Sequence, residues 1–145
     1  MFSKEEQKIG FIASCFDPFP HPGVIVAMQS AVATHQLTGI VAAVHDDPSK
    51  ERDWKSRPYL TLQERVILVS ALRHVRYVRT YQTEDQLLQI LKETSPDVRI
   101  LGEDYIGREQ FTGSGLEIPI FYAKRYPEWS GTEFRKRIRD GIYAD

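Results

Sequence analysis

Short apolar runs and longer amphipathic stretches alternate along this chain, with glycines, prolines or capping residues between them. Lys8–Ser14 (KIGFIAS) reads as a short buried strand. It leads into Phe16-Asp17-Pro18-Phe19-Pro20-His21-Pro22-Gly23, whose prolines and glycine exclude helix and strand alike. From Val24 to about Gln36 the spacing predicts a helix with a broad apolar face, stopped by Gly39. Ile40–His45 is a second strand, and the polar, aperiodic stretch from Asp46 to Pro58 is a loop. Thr61 followed by Glu64 has the capping-box form and opens a helix to about Arg73. Val75–Thr80 is a third strand, and Thr83 to Lys92 a helix whose acidic start suits its positive end. Asp97–Leu101 (DVRIL) and Ile118–Tyr122 (IPIFY) are the fourth and fifth strands. Ser130, with Glu133 three residues on, forms a second capping box ahead of a basic helix that runs to about Asp140.

Strands alternating with helices predict right-handed crossovers and an α/β fold, a Rossmann-like, doubly wound, parallel five-stranded sheet in the order 3-2-1-4-5. In such sheets ligands bind beyond the carboxyl ends of the strands. The three polar loops that follow strands, 16–23, 46–58 and 102–115, should therefore gather on one side. A length of 145 residues suits a single domain over 1–145. The net charge of −1 provides no broad field to recruit nucleic acid or a membrane, and leaves room only for local basic clusters. No apolar run approaches the ~20 residues of a membrane span. The polar start from Met1 to Lys8 lacks the apolar core of a signal peptide, so a cytoplasmic location is expected. Cys15 is the lone cysteine, with no disulfide partner and no neighbouring metal ligands in the sequence.

Four segments carry candidate chemistry. The 16–23 turn precedes a helix whose first backbone N–H groups are free to hold an anion, and His21 could add a donor. In the 46–58 loop, Lys50, Arg52, Lys55 and Arg57 could reach phosphates, although loops of this charge also serve as plain solvated surface. Gly102 at a strand end permits close approach by a ligand and Asp104 could orient a polar group, though Asp and Gly there also make ordinary turns. Finally, Arg125, Ser130, Thr132 and Arg135 cluster about one helix start, an arrangement suited to a triphosphate or to a simple capped surface helix.

In this order and spacing the segments resemble the cytidylyltransferase branch of the HxGH nucleotidyltransferases, over about Ile9 to Ile138. Phe16-Asp17 resembles the family's GxFD entry, and Lys55 falls at its phosphate-binding lysine. Leu62-Gln63-Glu64-Arg65 is similar to its "EeR" helix start, and Leu72–Val78 to its "RYVD" strand. Asp97 through Tyr105 resembles "DvxvxGxDy", and Arg125 with Ser130–Arg135 resembles "RTxgiSTTxIK". The resemblance implies a nucleotidyltransferase-like domain that transfers CMP from CTP to a small phosphorylated acceptor, releasing pyrophosphate, with Mg²⁺ bound to the triphosphate. His21, Lys55 and Arg125 would be catalytic. Phe16, Asp17, Gly23, Gly102, Asp104, Ser130, Thr132 and Arg135 would bind nucleotide, with Asp17, Gly102 and Asp104 on the base and ribose side. It also implies a homodimer through the third strand, although Arg76 stands where the family has an acidic residue.

One motif departs from the pattern. Ungapped, FDxxHxGH places Pro20-His21-Pro22-Gly23 on HxGH and keeps neither histidine. With one inserted residue His21 and Gly23 match, but Val24 replaces the second histidine, and Ser14-Cys15 replaces the entry GT. A non-catalytic nucleotide-binding or regulatory protein is therefore the first alternative. An ATP-using adenylyltransferase, in which FDPF also occurs, is the second.

Overall fold

The fold is described from a computed structural model covering residues 6–141. Five strands form one all-parallel sheet: β1 (Ile9–Ser14), β2 (Gly39–His45), β3 (Val75–Tyr81), β4 (Val98–Gly102) and β5 (Ile120–Ala123), in the order β3-β2-β1-β4-β5. Four helices, α1 (Pro22–His35), α2 (Leu62–Ser70), α3 (Glu84–Thr94) and α4 (Gly131–Asp140), complete the α/β architecture expected from the alternation. No described helix is long and apolar enough to cross a membrane.

The sheet is buried on both faces because its strands alternate between two apolar clusters. Ile12, Ile40, Ala42, Val44 and Ile100 meet Met28 and Ala31 of α1 and Val69 of α2. Phe11, Val41, Ala43 and Tyr81 meet Leu87, Ile90 and Leu91 of α3 on the other face. Each Val, Leu, Ile, Phe or Met among them taken fully out of water contributes roughly 1.5–3 kcal/mol before entropy is set against it. β1 is central, with Phe11 level with Val41 on one side and Arg99 on the other. β3 is an edge strand with Tyr77 exposed.

Several boundaries differ from those expected. The breaker-rich turn ends sooner than predicted, since Pro22 and Gly23 belong to α1. Proline fits the first helical position because its missing N–H would have had no partner there. The stop for α1 is Gln36, left-handed at φ 54, with its N–H on the Val32 carbonyl; Gly39 is already in β2. β5 begins at Ile120, after Pro119 has accepted the Arg99 N–H through its carbonyl at 2.8 Å. At α2 the capping box is complete, with Thr61 Oγ1 accepting from Glu64 N and Glu64 Oε1 from Thr61 N. At α4 only half of the expected box forms. Ser130 Oγ accepts from Glu133 N at 3.1 Å, but the Glu133 carboxylate turns down the helix to Arg137.

Candidate functional site

The three strand-following loops meet above the carboxyl edge of the sheet and enclose two adjoining cavities. The larger, about 650 Å³, is bounded by Asp17 from the first loop, Arg52 and Lys55 from the second, and Arg108 and Phe111 from the third. The smaller, about 240 Å³, lies between the ends of β1, β4 and β5 and the starts of α1 and α4, against Val24, Gly102, Tyr126 and Trp129. Ser14, His21, Arg125, Ser130 and Gly131 line both, so they form the lip where the two spaces join.

The turn that holds His21 is fixed from below. Phe16 adopts a left-handed backbone at φ 54, donates its N–H to Ser14 Oγ at 3.2 Å and buries its ring in the core. Asp17 is buried and its carboxylate is occupied. Oδ1 accepts from Tyr59 N at 2.7 Å and Leu60 N at 3.4 Å, while Oδ2 lies 3.4 Å from Arg135 Nη1. Asp17 thus ties the first loop to the approach of α2 and to α4. Phe134 of α4 stacks on His21 at 5.9 Å and meets Phe19 edge-on at 5.3 Å.

His21 caps α1, its Nδ1 accepting from Val24 N at 3.4 Å. A nitrogen that accepts from the backbone carries no proton, so the neutral ring bears its hydrogen on Nε2. Gly23 follows because the Trp129 carbonyl packs where a Cβ would stand. At Gly102 the Arg125 guanidinium lies where a Cβ would stand, so a larger residue there would displace that side chain. Arg125 is held by Asp104, with Nη2 at 2.8 Å and Nε at 2.9 Å from Oδ1, and its N–H donates to Glu103.

Every predicted site residue lines one or both cavities except Asp104, which acts on the site through Arg125. Thr132 and Arg135 border the larger space, as does Lys55 on its exposed loop. Cations dominate, because the nearby acids Asp17 and Glu84 are already engaged by protein groups. Burial, with Arg125 and Arg135 adding repulsion, holds the His21 imidazole below its ordinary 6.5. A group with a depressed folded value favours the fold in its neutral form. Its contribution is therefore full above 6.5 and is lost as pH falls through the folded value. Proton NMR titration should find His21 titrating below 6.5, and His21→Gln should flatten the stability loss between pH 7 and 5. An imidazole titrating at or above 6.5 would contradict this environment. Cys15 also lines the larger cavity, but burial pushes its thiol up to about 11, so it stays protonated.

A family model described as Cytidylyltransferase-like matches residues 11–137. The chain belongs to the cytidylyltransferase-like family. The bifunctional protein HldE of Gluconacetobacter diazotrophicus is 33% identical over 99 residues, covering 68% of this chain and 20% of that protein. The HldE of Helicobacter pylori strain P12 is 30% identical over 105 residues, covering 72% and 22%. The chain therefore spans about a fifth of the length of the curated relatives it matches. The crystal structure of the lipopolysaccharide core biosynthesis protein from Thermoplasma volcanium GSS1 shares the fold at a TM-score of 0.62. It is 21% identical, and the match covers 82% of this chain and 96% of that one.

Two arginines of this cytidylyltransferase-like chain escaped site prediction. Arg65 was legible only as a motif letter, yet its buried guanidinium reaches the carbonyls of Cys15 at 3.0 Å and His45 at 2.6 Å, joining the ends of β1 and β2. Arg99 had a signal, since a charged residue stands inside the otherwise apolar DVRIL strand. It is buried and lines the larger cavity.

Proposed function

We propose that this domain transfers CMP from CTP to the phosphate of a small acceptor, with release of pyrophosphate. The observation that carries the reading is the shared lip: the smaller cavity suits the nucleoside and the larger the acceptor, with His21, Arg125, Ser130 and Gly131 where they join and Lys55, Thr132 and Arg135 beside them in the larger. An acceptor phosphate oxygen attacks the α-phosphorus, a new P–O bond forms, the bond to the β-phosphate breaks, and pyrophosphate leaves. The chain supplies positioning and charge stabilisation. His21 donates from Nε2 to the α-phosphate, the first N–H groups of α4 and the Thr132 hydroxyl cradle the outer phosphates, and Lys55, Arg125 and Arg135 balance their charge. Mg²⁺ carried by the triphosphate would add charge stabilisation to that of Lys55, Arg125 and Arg135.

The test is pyrophosphate release with CTP and, separately, ATP across a panel of phosphorylated acceptors, alongside thermal shift with each nucleotide. A ligand at one hundred times its dissociation constant adds roughly 2.7 kcal/mol of stability, which a melt resolves easily. Greater activity and stabilisation with ATP would move the chain to the adenylyltransferase reading. Val24 favours a second reading, a nucleotide-binding protein without turnover, because in the one-residue-insertion register an apolar side chain stands where the family's second histidine acts; tight CTP binding with no release from any acceptor would select it.

Lys55→Ala and Arg125→Ala should weaken CTP binding more than CMP binding, because both face the outer phosphates in this reading. A charge-assisted contact is worth on the order of 1.5–3 kcal/mol, or roughly ten- to a hundredfold. Arg125 must exchange Asp104 for phosphate, so its loss should fall at the lower end. Equal losses for CTP and CMP in calorimetry would place these side chains elsewhere.

A further inference from the structure

The larger cavity contains a buried cation that nucleotidyl transfer, as set out above, does not use. Arg99 lies within β4 on the sheet face covered by α3 and is 6% exposed. Its Nη1 donates to the Thr112 carbonyl, and its guanidinium lies over the Phe111 ring, 5.5 Å from the centroid. A guanidinium has five N–H donors. No solvent-sealed side-chain nitrogen among the described residues lacks a partner, so the remaining Arg99 donors open onto the cavity the residue lines.

Arg99 pairs with no carboxylate among the described residues. The nearby acid, Glu84, gives one oxygen to Arg52 and the other to Thr112 Oγ1 at 3.0 Å. Burial pulls the Arg99 pKa down, yet an arginine remains charged at neutral pH. An uncompensated buried charge costs stability, and its strand neighbours Val98 and Ile100 are buried apolar side chains of the kind that would fill the site without that cost. Arg65, buried more deeply still, distributes its donors over four backbone carbonyls. Arg99 keeps most of its donors for something that enters the cavity.

Its position says which end of a ligand it meets. Arg99, with its neighbours Phe111 and Thr112, lines the larger cavity alone, away from the lip that His21 and Ser130 form where the two cavities join. We propose that Arg99 binds a second oxyanion, a carboxylate or a phosphate, carried by the acceptor at the end remote from its attacking phosphate. The assignment rests on the acceptor reading given above and narrows it to acceptors with two anionic ends. Tyr81 and Phe111 also line the larger cavity, and a phenol beside an aromatic ring suits a hydroxylated carbon skeleton.

Matched probe pairs test this by calorimetry on the full chain: 6-phosphogluconate against sorbitol 6-phosphate, and fructose 1,6-bisphosphate against fructose 6-phosphate. In at least one pair the doubly anionic member should bind about ten- to a hundredfold tighter, and the pair that responds tells carboxylate from phosphate. Arg99→Met, checked by a cooperative melt, should erase the preference, and Arg99→Lys should keep part of it. If Arg99→Met does not fold, the ratios for the unaltered chain and Arg99→Lys carry the test. Equal binding within both pairs would overturn the proposal, as would a preference that survives Arg99→Met or is undiminished by Arg99→Lys. Binding is read here without turnover. A clear preference with no pyrophosphate release would therefore sink the transferase reading while supporting the Arg99 site.

Discussion

Val24→His should raise pyrophosphate release from CTP about 10²–10³-fold, the usual worth of one preorganised donor to a transition-state oxyanion. Val24 follows Gly23 in the first turn of α1, lines the smaller cavity and is only partly buried. Its N–H already points at His21, donating to the His21 carbonyl at 3.1 Å and Nδ1 at 3.4 Å, so the two side chains flank one helix start. An imidazole at this position would add an N–H beside the lip, where in the proposed transfer the α-phosphate gathers negative charge. His21, the histidine that the one-residue-insertion register keeps, is the capping residue of this helix start. The assay compares the unaltered chain, Val24→His and His21→Ala across the acceptor panel. If His21→Ala abolishes release and Val24→His gains nothing, position 24 faces helix packing and the insertion register fails.

Arg65→Met should cost about 3–5 kcal/mol of folding stability, near the top of the range for single substitutions. The Arg65 side chain is 1% exposed. Nε donates to Leu60 O at 3.1 Å, Nη1 to Cys15 O at 3.0 Å and His45 O at 2.6 Å, and Nη2 to Asp46 O at 2.5 Å. Removing the guanidinium strands those carbonyls beneath the site, at roughly 1–3 kcal/mol for each one that water cannot reach. Lysine offers three donors from a single point and cannot span the separated strand ends, so Arg65→Lys should recover only part of the loss. Denaturant unfolding with an unchanged m-value is the measurement; a loss under about 1 kcal/mol would show that water or repacking satisfies these carbonyls.

The sequence by itself determined the order and type of the elements. Apolar runs such as KIGFIAS, capping residues such as Thr61, and the breakers between them are local signals, and parallel strands joined by helices allow few topologies. It also placed the chain in its family, because the motif residues resemble a pattern whose model spans residues 11–137. It misjudged places where a local signal had two uses. Pro22 reads as a breaker but starts α1, and Glu133 reads as half a capping box but pairs with Arg137. What only the tertiary structure decided was the assignment of donors to acceptors across long separations. Asp17 and Tyr59 are 42 residues apart, and Arg65 and Cys15 are 50 apart. No periodicity encodes such pairs, since a charged side chain can reach any carbonyl or carboxylate that the fold brings within about 3 Å. For the same reason Arg99 reads in sequence as an irregularity in an apolar strand. Only the folded chain reveals that its charge is buried, that the nearby acid is already taken, and that its free donors face a cavity.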